Sequence, residues 1–183
     1  IYIVPFSIVP ILILVFFDAR TAIFTHIAEV MLCAAFAPFT LEFIFMQLAG
    51  GCAAVFTLEQ LSKRSELLRT AVFVAVTYWI SYLAIELMLN GSMEGISWRI
   101  AAYITISAVL TSFAYILMFV YEKAFGLISV VTLVELADIN HPLLRELSDN
   151  CPGTFQHSMA VSNLASDAAL KIGANVQLVR AGA

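Results

Sequence analysis

A chain of 183 residues that is 62% hydrophobic and 12% charged, with a mean hydropathy of +0.96, carries more apolar surface than a soluble core of its size can hide. It belongs to the membrane class. Its 13 acids against 9 bases give a net charge of -4 and no basic run, which argues against a nucleic-acid polymer as partner.

The first 121 residues divide into five apolar segments, each near the roughly 20 residues that a helix needs to cross hydrocarbon. They are 1–17, 21–36, 39–58, 70–89 and 100–121. The last has no charge and is the clearest. The second is short, carries His26 and Glu29, and is parted from the third by Pro38, so it can also be read as half of a helical hairpin. The chain opens at Ile1 inside an apolar run, without a basic stretch before it, and so reads as cut within a span rather than as a secretory signal. The closing LVRAGA, just after a helix start at Asn175, reads as a second fragment boundary.

Orientation follows from the loops, because short cytoplasmic loops hold the Lys and Arg excess. The segment 59–69 contains Lys63, Arg64 and Arg69 and is assigned to the cytoplasm, whereas 90–98 has one acid and no base before its end and is assigned outside. Two further spans return the chain to the cytoplasm at Glu122. Residues 122–137 are amphipathic and read as a connecting helix. A short helix beginning at His141-Pro142 and running through Leu147 ends in the turn cluster at 149–153. Thr154 is then the expected N-cap of a helix that runs to Gly173 as its C′ residue. On it His157, Val161, Leu164, Ala168 and Ile172 recur at helical spacing, which predicts a core-facing apolar stripe with His157 on it. No segment alternates as a strand would, so the fold class is all-α.

Ionisable groups within spans are costly and tend to face protein or water. Glu42 and Glu86 lie near span ends, within reach of headgroups, and Glu29 has His26 one turn earlier on the same face, which leaves a polar sensing pocket and a structural helix–helix hydrogen bond both open. Gly50-Gly51 in the third span reads as close helix packing. Cys33, Cys52 and Cys151 form no CxxC pair and read as packing residues or free thiols. Spacing alone gives His157 little support as a metal ligand, since the chain offers no HxxxH, HExxH or His-Asp pair.

Residues 134–183 nevertheless resemble the opening of the cytoplasmic HD domain in bacterial seven-transmembrane-receptor HD hydrolases, the group that includes PgpH-type cyclic di-AMP phosphodiesterases. The resemblance rests on NHPLL at 140–144, PGTFQHS at 152–158 and IGAN at 172–175, and more loosely on SKRSELLR at 62–69 and YEKAFGLIS at 121–129. It implies a transmembrane helical bundle over 1–121, the connecting helix over 122–137 and an incomplete all-helical HD domain over 138–183. It further implies that His157 matches the family's first metal-ligand histidine, in a site holding two divalent ions, iron or manganese, that cleaves a cyclic dinucleotide, cyclic di-AMP first. The family's adjacent His-Asp pair does not occur in the chain, so this fragment is expected to be inactive while its parent is an enzyme of the bacterial inner membrane with its HD part cytoplasmic. The lipid bilayer and the cyclic dinucleotide are the expected partners, and self-association is left open. Two other classes are weighed: a membrane receptor or scaffold with a degenerate HD domain, and a small transporter lined by His26, Glu29 and Glu86.

Overall fold

The computed structural model describes residues 2–58, 66–91 and 96–183. The basic loop with Lys63 and Arg64 and the centre of the acidic loop lie outside the described residues. Among the described residues all regular structure is helical, which agrees with the all-α class read from the sequence. The chain divides into two compact units, Ile1–Leu127 and Ile128–Ala183.

The first unit contains α1 (Ile8–Phe16), α2 (Ala19–Ala34), α3 (Thr40–Leu58), α4 (Glu66–Asn90), α5 (Trp98–Thr111) and α6 (Ala114–Phe125). Among the described residues three stretches are long and apolar enough to cross a membrane: Thr40–Leu58, Leu68–Asn90 and Trp98–Phe125. The first two helices are shorter. With 9 and 16 residues at about 1.5 Å rise each, they fall short of the roughly 30 Å of a hydrocarbon core. Pro5 holds the chain before α1 in turns, and Pro10 is tolerated because it sits in the first turn, where its missing N–H is not needed. Asp18 then caps α2, accepting from the Thr21 N–H at 3.2 Å and from the Thr21 hydroxyl at 2.6 Å.

The apolar run 100–121 is not one uninterrupted helix. At Ser112 and Phe113 the backbone shifts to i→i−3 bonds, Ser112 N–H to Val109 and Phe113 N–H to Leu110. Thr111 is placed to cause this, because its hydroxyl donates back to the Ser107 carbonyl at 3.1 Å, a bond of the kind that bends helices. α6 ends at Gly126, whose φ of 64° is left-handed and therefore suits a residue without Cβ.

α3 is the centre of this unit and packs against α1, α2 and α4, while α5 lies on α4. Phe43 is fully buried and takes the edges of Tyr2 and Phe6. Two glycines on α3 set how closely its neighbours approach. A Cβ at Gly50 would collide with the Tyr78 ring of α4, and one at Gly51 with the His26 ring of α2. The glycine pair thus acts in packing, as its place in a span suggested.

The second unit contains α7 (Val130–Leu136), α8 (Pro142–Asn150), α9 (Pro152–Lys171) and α10 (Val176–Gly182). The stretch 122–137, expected as one connecting helix, is therefore the end of α6 and the whole of α7, parted at Gly126 and restarted by Ser129, whose hydroxyl accepts from the Thr132 N–H. His141 caps α8 through Nδ1 and Pro142 follows it in the first turn, so this start lies where the sequence placed it, although the helix continues to Asn150. α9 packs against α8 and α10, and α7 against α10.

Candidate functional site

His157 lies in the second turn of α9. That helix begins one turn earlier than expected: Cys151 is the N-cap and Pro152 occupies the first helical position, so Thr154 lies within the first turn instead of capping it. Pro152 supplies a preset φ and lacks the N–H that would be left over there, which makes it a stronger start signal than Thr154. The far end forms as predicted. Gly173 takes φ 70°, its N–H bonds to the Leu170 carbonyl, and the Ala174 N–H reaches back to Ala169 at 2.9 Å, the paired bonds of a Schellman ending.

The orientation of α9 differs from the expectation. Its buried residues are Ser162, Ser166 and Ala169, on the face that meets α8 and α10. The Ser162 hydroxyl donates to the Arg180 carbonyl of α10 at 2.9 Å, and small side chains permit this close approach. The stripe predicted to face the core is turned outward: His157 is exposed, with Val161, Leu164 and Ile172 at 41%, 71% and 80% exposure along its face. The physical reason is that α8 and α10 supply cover for one side of α9 only. His157 therefore opens a long apolar face that nothing in this unit covers.

A lone exposed imidazole does not make a metal site. Among the described residues no three His, Cys, Asp or Glu side chains converge, so the residues present do not by themselves fit the metal centre that the resemblance implies. His141, the other histidine of this unit, is occupied as the α8 cap.

The first unit holds a polar cluster in its interior. His26 is 2% exposed, and its Nε2 donates to the Gln47 carbonyl of α3 at 2.9 Å. A carbonyl only accepts, so Nε2 carries a hydrogen, and Nδ1 on the other side of the ring faces Glu29. Nδ1 lies 3.6 Å from Glu29 Oε2, and neither atom has a hydrogen-bond partner among the described residues. On the other side of Gln47, the Tyr78 hydroxyl donates to Oε1 at 2.7 Å and accepts from Ser7 Oγ, also at 2.7 Å. Ser7, Gln47 and Tyr78 are all buried, so one glutamine links groups from α2, from α4 and from the turn before α1. The helix–helix hydrogen bond here is made by His26, whereas Glu29 Oε2, on the residue for which the two alternatives were left open, has no hydrogen-bond partner among the described residues.

Gln47, Tyr78 and Ser7 were missed by sequence reasoning. The usable signal was a glutamine in the middle of an apolar span, one turn before Gly50-Gly51, since such a group must find partners in hydrocarbon. Glu42 lies in the first turn of α3, where an acid suits the helix dipole, and Glu86 near the end of α4 accepts from Asn90 at 2.6 Å. Both are at helix ends, as read. Cys33, Cys52 and Cys151 are free.

Comparison with known proteins adds what this geometry lacks. A family profile described as 7TM receptor with intracellular HD hydrolase matches residues 1–129. The cyclic-di-AMP phosphodiesterase PgpH of Bacillus subtilis is 33% identical over 141 residues, covering 74% of this chain and 19% of that protein. Its namesake in Listeria monocytogenes is 38% identical over 144 residues, covering 76% and 20%. An uncharacterized protein of Synechocystis is 35% identical over 166 residues, covering 85% and 20%. Each share of this chain is larger than residues 1–129 can supply, so each match runs on past them. The chain spans about a fifth of the length of these curated relatives. No solved structure matches.

Proposed function

Because the chain belongs to the family of 7TM receptors with an intracellular HD hydrolase, we propose that it is the membrane bundle and the opening of the HD domain of a cyclic di-AMP phosphodiesterase. Two relatives carry that activity in their names. The observation that supports the reading within this chain is α9. A rigid helix of 20 residues presents His157 at the head of an open apolar face, which is what the first wall of a larger helical domain requires.

In this reading residues 1–121 are the membrane anchor, with α1 and α2 completing a set of about five membrane-embedded segments. The HD part faces the cytoplasm of the bacterial inner membrane, on the side of the basic loop at 59–69. HD hydrolases depend in general on divalent metal, and His157 is one of the protein ligands in the complete domain, where two iron or manganese ions are held. Among the described residues this segment brings one such histidine and no convergent set, so hydrolysis is expected of the longer protein rather than of this segment alone. The contribution of its own residues is positional: α8 and α10 fix one side of α9, and Ser162 locks it to α10.

The test uses the purified longer protein that carries this segment, given cyclic di-AMP with and without a chelator. Metal-dependent hydrolysis by the longer protein, with none by residues 1–183, is the expected result. Binding without turnover in metal-replete buffer would instead establish a non-catalytic receptor, and turnover unaffected by chelation would remove the HD reading.

A further inference from the structure

A groove of about 570 Å³ runs between α4 and α5 of the first unit. Its floor is made of small residues, among them the buried Ala71 and Ala108, and its walls of exposed Val72, Ile80 and Val109. Larger side chains at the alanines would fill it. On α4 the lining residues fall at 68, 71, 72, 75, 76, 79, 80 and 83, a continuous face at three- and four-residue spacing. Fifteen steps from Leu68 to Leu83 at about 1.5 Å rise make it about 22 Å long, longer than half of the roughly 30 Å hydrocarbon core. Its lining belongs to two of the stretches apolar enough to span the membrane, and in that membrane-spanning reading acyl chain surrounds it. At its Leu68 end α4 carries exposed Arg69, one turn before the lining residue Val72 and on the same face, and Ser112 lines the groove as well. Charge at one end and an apolar slot beyond it match the two parts of a single ligand.

The geometry points to a binding site for an anionic phospholipid, with one acyl chain lying in the α4–α5 groove and the headgroup phosphate on Arg69. Apolar contact alone would accept any lipid, since acyl chains are as apolar as the groove walls. Arg69 supplies the discrimination through net charge: its guanidinium pairs with the phosphate of either lipid, but the choline of a zwitterionic headgroup offsets the charge that an anionic headgroup keeps. The site rests on the membrane-spanning reading of α4 and α5 and is independent of the hydrolase reading.

Trp79 lines the groove and serves as its reporter, since the only other tryptophan, Trp98, can be removed by Trp98→Phe. The 183-residue chain carrying that change is reconstituted in phosphatidylcholine vesicles containing a small fraction of chain-brominated lipid. Brominated phosphatidylglycerol is expected to quench Trp79 at a lower mole fraction than brominated phosphatidylcholine, with an apparent preference of about five-fold, the contribution of one basic side chain at an anionic surface. Arg69→Gln should make the two lipids equal, and Ala108→Phe, which fills the groove, should reduce quenching by both. Added inorganic phosphate should change nothing, because the acyl chain anchors the ligand. Equal quenching by the two lipids before any change at Arg69 would overturn the proposal. So would protection of Trp79 from both lipids together with crosslinking of two chains through α4, which would place a second copy in the groove. Should Ala108→Phe fail to fold, Arg69→Gln, at an exposed position, still decides.

Discussion

The two units treat their polar and apolar groups in opposite ways. In the first, Ser7, Gln47, Tyr78 and His26 are buried and joined by hydrogen bonds across helices, and Gly50 and Gly51 bring those helices into contact. In the second, α9 buries two serines and an alanine and turns Leu164 and Ile172 outward. The difference teaches where each unit's specificity lies. A membrane interior offers no water to an unpaired group, and the bonds of Ser7, Tyr78, Gln47 and His26 Nε2 are made by the bundle's own residues. A helix whose large apolar residues stay outside draws its order from caps and small-residue packing, and its open face is available to further structure.

The comparison breaks most readily at Gly51. Gly51→Ala drives a methyl into the His26 ring, so the helices must separate or the Gln47 bond must be lost, and a destabilisation of about 3 kcal/mol is expected from overpacking plus a broken buried hydrogen bond. Thermal unfolding in detergent reads it, and an unchanged midpoint would mean that His26 is not seated there. Tyr78→Phe comes next. It removes the donor to Gln47 and the acceptor for Ser7 while keeping the ring against Gly50, and should cost about 1–3 kcal/mol in the same assay.

Leu164→Gln sharpens the other side of the comparison. At 71% exposure this residue should tolerate the change within about 0.5 kcal/mol, and a large loss of stability would show the stripe to be packed. The smallest effect is at Asp18, where the hydrogen bonds from Thr21 hold the carboxyl below its usual range. A depressed carboxylate stabilises the folded state above its unfolded pKa of about 3.9 and loses that contribution as pH falls through the lower folded value. Protection of the Thr21 amide, measured against its intrinsic exchange rate, should therefore fall on acidification below about pH 4, and Asp18→Asn, which keeps the cap, should remove that dependence.

Much of this fold was legible because membrane spans announce themselves by length. The runs that became α3, α4 and the α5–α6 pair needed no partner to be recognised, and Pro142, Gly173 and Asn175 marked helix ends through backbone chemistry that is local to each. What escaped depends on tertiary neighbours. The break at Ser112 follows from a threonine bonding backward, the start of α9 from a proline placed one turn ahead of a good capping residue, and the face of α9 from which helices lie beside it. His26 and Glu29 drew notice as charges in a span, whereas Tyr78 and Gln47 did not, because uncharged polar residues on an apolar helix leave no periodic trace. The role of His157 was legible only through family resemblance, since one histidine on a helix has no ligand spacing of its own.

The most direct measurement is the metal content of the longer protein with His157 intact and with His157→Ala, taken by elemental analysis beside cyclic di-AMP turnover and a folding control. Loss of bound metal and of turnover, with helix content and thermal unfolding unchanged, is the predicted result. Full metal loading and undiminished turnover in the variant would contradict the assignment of α9 as a wall of the metal site.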